Sequence, residues 1–193
     1  MTFRNLTFVF FLLGFFWANP LAAEDTVPRL GSFAPPSWQT VANPKAQSRQ
    51  DILRVESEGQ RQIIYEMIPR RQTQENWRKR HWVYVAENVS KSVSSVRNSF
   101  LNREKDDCVP DMKWADWGKS RREIVFAVFC GERKSDGLGY VAAIWLTKSG
   151  STVYRVSEEW RGPAYEFGNE ATYFWERTAL TDLIAAIGAS ELE

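Results

Sequence analysis

Residues 122–130, with the sequence REIVFAVFC, are apolar on both faces of any strand that they form. Successive side chains of an extended chain point to opposite sides, so Ile124, Phe126 and Val128 share one face while the residues between them fill the other. A strand that is apolar on both faces must be covered by a further layer on each side. We therefore expect a sheet with this segment at its centre and helices over it.

Apolar alternation predicts further strands before and after this segment. Pro69 ends one of them, and Gly150 suits a positive φ in the turn between the last two. One segment, 111–120, is compatible with either an edge strand or an ordered loop. The predicted strands are 52–57, 61–69, 81–87, 111–120, 140–147 and 152–160.

Two segments carry the apolar spacing of a helix. Val89, Val93, Val96 and Phe100 form a stripe that Asn88 or Ser90 can cap. A second helix is expected to start near Asn169 and to end at Gly188. The order of elements predicts an α+β fold in which two helices cover an antiparallel sheet of about six to seven strands.

The N-terminus has the pattern of a secretory signal peptide. The apolar run at 6–17 would rise roughly 18 Å as a helix, against roughly 30 Å of hydrocarbon in a bilayer. Small residues follow, so residues 1–23 are predicted to be removed, although Leu21 is large for its position and an uncleaved anchor is the alternative. Residues 24–50 are then a Pro-rich flexible tether and 51–193 a single domain, placed in the periplasm.

Charge and cysteine content narrow the function further. The chain has 25 Lys and Arg against 24 Asp and Glu, and loss of Arg4 with the signal peptide leaves 24 of each. This balance disfavours general binding to nucleic acid or an anionic membrane. Cys108 and Cys130 are the only cysteines, and an oxidising compartment favours a disulfide between them. A redox or metal site is disfavoured because the chain has no CxxC and a single histidine.

The segment 69–82, PRRQTQENWRKRHW, concentrates cations in the connection between two strands. It is either a recognition surface or a solvated turn. Trp114 and Trp117 are not assigned to a core, so they are further candidates for contact with a partner. Together with Trp160 they could alternatively form a platform on which a sugar stacks. The predicted partner-binding residues are Arg70, Arg71, Trp77, Arg78, Lys79, Arg80, Trp114 and Trp117.

Part of this segment resembles a box found in small exported proteobacterial proteins of unknown function, E-x-I-P followed by Q-T-x-x-N-W. The overall order of elements is also similar to PsbP-like sandwich domains, which implies a periplasmic or lumenal accessory protein. The resemblance implies a hydrogen-bonded turn around a packed indole, with the cations on its surface. The matching residues are Glu66, Ile68, Pro69, Gln72, Thr73, Asn76 and Trp77.

Catalytic patterns are weak. His81 is the only histidine and starts an alternating strand, and Glu158 and Glu159 are adjacent, which points them to opposite faces of a strand. Asp106, Asp107 and Asp111 lack the spacing of a calcium loop. We therefore predict a protein that is not an enzyme and holds no metal or cofactor.

The predicted function is that of a periplasmic accessory or adaptor protein that binds a protein partner in an envelope or secretion assembly. The alternative is an inhibitor or immunity-type protein against an envelope-acting hydrolase. A hydrolase with a lone carboxylate site is a third class that the sequence leaves open.

Overall fold

The computed structural model describes residue 33 and residues 35–38, 48–57 and 60–189. The predicted signal peptide, residues 1–23, and the predicted new N-terminus at Glu24 lie outside these residues. The described chain forms β1 (Ser48–Ser57), β2 (Gln60–Pro69), β3 (Lys79–Ala86), α1 (Val93–Asp107), β4 (Cys108–Lys119), β5 (Glu123–Arg133), β6 (Gly139–Ser149), β7 (Thr152–Gly162) and α2 (Arg177–Gly188).

The seven strands form one antiparallel sheet in the order β1-β2-β3-β7-β6-β5-β4. The predicted α+β fold is therefore confirmed, and the segment 111–120 belongs to an edge strand and not to a loop. Gly150 has φ 57° in the turn between β6 and β7, as predicted. The first strand begins at Ser48, three residues before the predicted start of the domain.

Strand β5 is covered on both faces, as its composition predicts, but it lies next to the edge strand β4 and not at the centre of the sheet, which β7 occupies. Phe126 and Val128 pack in the core beneath α1, whereas Val125 and Ala127 pack in the core beneath α2, and all four are at most 8% exposed. Helix α1 contacts β4, β5 and β6 on its face of the sheet. Helix α2 contacts β5, β6 and β7 on the other face. Neither helix makes extensive contacts with β2 or β3. On the α1 face this leaves Ile64, Trp82 and Tyr84 only partly buried, whereas on the α2 face Ile63 and Val83 are buried in the core.

Helix α1 starts later than predicted. Its N-cap is Ser92, whose hydroxyl accepts a hydrogen bond from Ser95 N at 3.2 Å. Asn88 has a positive φ of 58°, and Val89 N donates to Ser151 O at 2.8 Å. The predicted caps, Asn88 and Ser90, are therefore wrong, because a backbone bond to the β6–β7 turn holds the start of the apolar stripe outside the helix.

The last helix also starts later than predicted, at Arg177 and not near Asn169, although it ends at Gly188 as expected. The intervening chain makes one turn of 3-10 helix, Glu170–Thr172, and then bends at Phe174 and Trp175 before the helix begins. Tyr173 and Trp175 stack with their ring centroids 4.5 Å apart and both rings contact Tyr165. A continuous helix would break this aromatic cluster, so tertiary packing overrides the local helical signal.

Cys108 and Cys130 form the predicted disulfide, with their Cα atoms 5.5 Å apart. Cys108 follows the last residue of α1 directly, so the bond ties the end of this helix to β5. Within the described ranges, no helix is long and apolar enough to cross a membrane.

A short part of the predicted tether lies against the domain. Phe33 is 5% exposed and packs in the core beneath α2. Ser37 donates two hydrogen bonds to the Glu158 carboxylate, one from its backbone N at 2.7 Å and one from its hydroxyl. Phe33 and Ser37 thus attach this part of the chain to the sheet at two points.

Candidate functional site

The basic connection between β2 and β3 is a hydrogen-bonded turn. Thr73 N donates to Asn76 Oδ1 at 2.6 Å, which closes the tip. The side-chain oxygen of Gln72 accepts from the backbone N of Arg78 and, at 3.1 Å, from that of Lys79. The polar residues of the predicted box therefore satisfy backbone groups within the connection, which is a structural role.

Trp77 anchors this turn in the interior. Its side chain is only 3% exposed, and its ring lies between two guanidinium groups, those of Arg80 at 4.2 Å and Arg161 at 4.4 Å. Arg161 also donates to Trp77 O at 3.0 Å and to Glu75 O at 2.7 Å. Cation–π contacts of this kind are strengthened when the pair is shielded from water.

The predicted partner-binding cations divide into two groups. Arg70, Arg71 and Arg78 are exposed, whereas Lys79 is half-buried with its Nζ 5.3 Å from the Trp160 ring. Arg80 points into the protein, with 20% of its side chain exposed. Trp77 and Arg80 were predicted to contact a partner protein, but both side chains point into the protein, where aromatic rings and carboxylates surround them.

Arg80 forms an ion pair with Glu159 across the neighbouring strands β3 and β7. Its Nη2 and Nε lie 2.6 Å and 3.1 Å from Glu159 Oε2, and its Nη1 lies 3.4 Å from Glu66 Oε1. Burial by itself would raise the pKa of Glu159, but the charges of Arg80 and Arg155 outweigh burial and lower that pKa. Glu159 is therefore held as a buried carboxylate.

Glu158 and Glu159 point to opposite faces of β7, as the strand alternation predicts. Glu158 is fully buried beneath the segment that contains Ser37, and it also accepts from Trp160 Nε1 at 2.7 Å. Each carboxylate already has hydrogen-bond donors of its own. The two groups therefore do not face a common cleft as a catalytic acid and base would.

His81 is 1% exposed, and neither ring nitrogen has a hydrogen-bond partner among the described residues. Burial lowers the pKa of His81 to about 3, and the charge of Glu159 offsets only part of that effect. No three His, Cys, Asp or Glu side chains within the described ranges lie close enough to hold a metal ion.

The two predicted tryptophans of β4 are exposed, Trp114 by 50% and Trp117 by 48%. They lie on opposite faces of the edge strand: Trp114 pairs with Val128 of the α1 side, whereas Trp117 lines a hollow beside α2 with Trp175. Trp160 is 6% exposed. These three indoles do not form a common flat platform for a sugar. Four strand spacings, roughly 19 Å, separate β4 from the basic connection at β3.

Sequence reasoning missed a cleft on the α1 face of the sheet. It has a volume of about 450 Å³ and lies between α1 and the strands that this helix leaves uncovered. Aromatic walls and five arginines line it. Among these residues are Trp82, Tyr84, Phe100, Tyr140, Arg80, Arg97, Arg103, Arg133 and Arg155.

Arg155 lies among the aromatic residues of this cleft. Its Cζ is 5.2 Å from the Phe100 ring centroid, 5.6 Å from Trp82 and 5.7 Å from Tyr84. Arg155 Nε and Trp82 Nε1 are buried donors without a hydrogen-bond partner among the described residues. A signal for this cleft exists in the sequence, since β7 carries Arg155, Glu158 and Glu159, charged residues that a central strand rarely carries.

No protein-family model and no curated protein matches the chain. Among solved structures, the chain is similar to the Saccharomyces cerevisiae Ran-binding protein Mog1p, with 13% sequence identity and a TM-score of 0.43. The match covers 74% of this chain and 95% of the Mog1p chain. A similarity at this level says nothing about the residues of a binding site.

Proposed function

We propose that this protein is an exported accessory protein without catalytic activity, and that it binds a protein partner of the cell envelope along the edge strand β4. The observation that carries the proposal is the exposure of Trp114 and Trp117 on that strand. Four large apolar side chains are exposed among the described residues, and three of them, Val109, Trp114 and Trp117, belong to β4.

The edge strand suits a partner that is itself extended. β4 ends the sheet, so its outer backbone groups pair with no other described strand. A partner segment that pairs with this edge would meet one indole on each face, because Trp114 and Trp117 lie on opposite sides. Tryptophan is also enriched among the residues that contribute most to protein interfaces.

Export is supported by the disulfide between Cys108 and Cys130 and by the short apolar run at 6–17. In the cell that produces it, the mature protein is predicted to be periplasmic and to begin at Glu24. N-terminal sequencing of protein recovered from the envelope tests this directly. A protein that still begins at Met1 and sediments with membranes would instead favour an uncleaved anchor.

The absence of catalytic activity is supported by the state of the candidate catalytic groups. His81 is buried without a hydrogen-bond partner among the described residues, and Glu158 and Glu159 face opposite sides of the sheet. A hydrolase would require a titratable group open to a substrate and placed beside a second functional group.

Site-specific photo-crosslinking in intact cells tests the proposed surface. A photoreactive residue is placed at Trp117, at Arg71 in the exposed basic turn, or at Lys105, an exposed control on α1. We expect a discrete crosslinked protein from position 117 only, and its loss when Trp114 is also replaced by Ala.

The outcome at each position separates the alternatives. Crosslinking from position 71 and not from 117 would move the interface to the basic connection, and equal products at all three positions would refute a defined edge interface. An envelope-acting hydrolase as the captured partner would favour the inhibitor, whereas a transport or secretion component would favour the adaptor.

A further inference from the structure

We infer that the cleft beneath α1 binds a small organic anion with an aromatic or otherwise apolar body, and that Arg155 binds its negatively charged group. This site is independent of the β4 edge. The cleft lies on the part of the sheet that α1 leaves open, and its volume of about 450 Å³ is in the range of small-molecule sites.

Arg155 differs from the other arginines of the cleft. The other four are joined to carboxylates, and Arg155 makes no ion pair or hydrogen bond with any described residue. The four pairs are Arg80–Glu159, Arg97–Asp116, Arg103–Glu104 and Arg133–Asp107. A guanidinium that is partly buried without a hydrogen-bonded acceptor is the group that an anionic ligand would complete.

The buried donors point to an acceptor. Arg155 Nε and Trp82 Nε1 both lack a partner among the described residues, and the Arg155 Cζ lies 5.6 Å from the Trp82 ring centroid. A carboxylate, sulfonate or phosphate offers oxygens that only accept hydrogen bonds, so such a group suits the guanidinium of Arg155. Nearly all buried polar groups in proteins are paired, which makes two unpaired donors in one cleft notable.

The remaining lining predicts the rest of the ligand. Phe100 and Trp82 offer ring faces, and Phe126, Ile144 and Leu146 are apolar side chains that line the same cleft. Polar groups of a ligand would find no partner along these apolar side chains. The expected ligand therefore has a single anionic group at one end of an aromatic or aliphatic body.

Two fluorescent probes separate the contribution of charge from that of the apolar body. Anilinonaphthalene sulfonate carries one negative charge on an aromatic body, and phenylnaphthylamine has nearly the same body without the charge. We expect the purified protein, with its disulfide intact, to bind the sulfonate about tenfold more tightly than the neutral probe.

Two substitutions make the test specific to Arg155. Arg155→Met keeps an apolar side chain against Phe100 and should weaken sulfonate binding about tenfold while leaving the neutral probe unchanged. Arg103→Met is the matched control, because Arg103 lines the same cleft but is 69% exposed and pairs with Glu104. It should change sulfonate binding by about twofold or less.

A third variant tests the location. Ser99 is exposed on α1 and lines the cleft, so Ser99→Trp should fill it and abolish binding of both probes. Equal affinity for the two probes, or equal effects of Arg155→Met and Arg103→Met, would overturn the inference, and cooperative thermal unfolding of each variant confirms that it is folded. Replacement of Trp114 and Trp117 by Ala should leave probe binding intact, so a failed partner interaction and a failed cleft give different results.

Discussion

Arg80 offers the sharpest test of how the basic connection works. Its guanidinium lies between the rings of Trp77, at 4.2 Å, and Trp82, at 4.6 Å, and it pairs with a Glu159 carboxylate that is 5% exposed. Arg71 is in the same connection but is exposed. Substitution of each by Met therefore separates an interior role from a surface role.

The expected loss of unfolding free energy in Arg80→Met arises because the Glu159 carboxylate stays buried without its partner. Removal of one member of a buried ion pair typically costs about 3–5 kcal/mol, because the other charge stays buried without its partner. Arg155 lies close enough to lower the pKa of Glu159 as well, so we expect the lower end, about 3 kcal/mol. For a domain of this size that corresponds to a fall in Tm of about 9 °C.

Urea denaturation followed by circular dichroism measures the free energy of unfolding directly. Arg71→Met should change it by less than about 0.5 kcal/mol. The double variant Arg80→Met with Glu159→Gln should recover at least about 1 kcal/mol relative to Arg80→Met, since it no longer buries an unpaired charge.

The pH dependence has a definite sign. In the native protein the pKa of Glu159 is lowered, so its contribution to stability is present above the pKa of the unfolded chain and is lost as the pH falls through the folded value. Without Arg80, burial should raise that pKa, and the deficit of Arg80→Met should shrink as the pH falls. Equal stability of Arg80→Met and Arg71→Met, or no recovery in the double variant, would refute the reasoning.

Three further predictions concern groups that the fold buries. Burial lowers the pKa of His81 to about 3, so as the pH falls below the ordinary histidine pKa of about 6.5 the unfolded chain takes up a proton that the folded protein does not. Between about pH 8 and pH 5 the native protein should therefore lose about 2 kcal/mol of unfolding free energy. His81→Leu should lack this loss, and a flat native profile would contradict it. Replacing Cys108 and Cys130 by Ser should lower the free energy of unfolding, measured by urea denaturation, by about 3 kcal/mol. An unchanged free energy of unfolding would show that the disulfide does not form in solution. Glu158→Gln weakens the hydrogen bonds from Ser37, so hydrogen exchange should show the Ser37 amide exchanging about tenfold faster; an unchanged rate would mean that other contacts hold this segment.

The turn at 69–82 shows how far local pattern extends. The side chains of Gln72 and Asn76 accept hydrogen bonds from backbone N–H groups of the same segment, so these bonds follow from the local sequence alone. The same segment did not predict that Arg80 turns inward. Arg80 and Glu159 are 79 residues apart in the chain, and only the pairing of β3 with β7 brings them together.

The two helix starts failed for a related reason. The apolar spacing from Val89 and the cap residue Asn169 were both compatible with a helix. A hydrogen bond to Ser151 holds Val89, and packing of Trp175 against Tyr165 holds the later segment outside the helix. Local propensity amounts to a fraction of a kcal/mol per residue, so one tertiary contact is sufficient to move a boundary.

The sequence by itself determined the features that depend on neighbours along the chain. These are the doubly covered strand β5, the positive φ of Gly150, the disulfide between the only two cysteines and the order of strands and helices. The tertiary structure alone decided which side chains share a surface. Strand order placed Trp77 and Arg80 in the interior and assembled the cleft around Arg155. The physical reason is that alternation specifies which face of a strand a residue occupies, whereas the neighbour that it meets depends on pairing between distant segments.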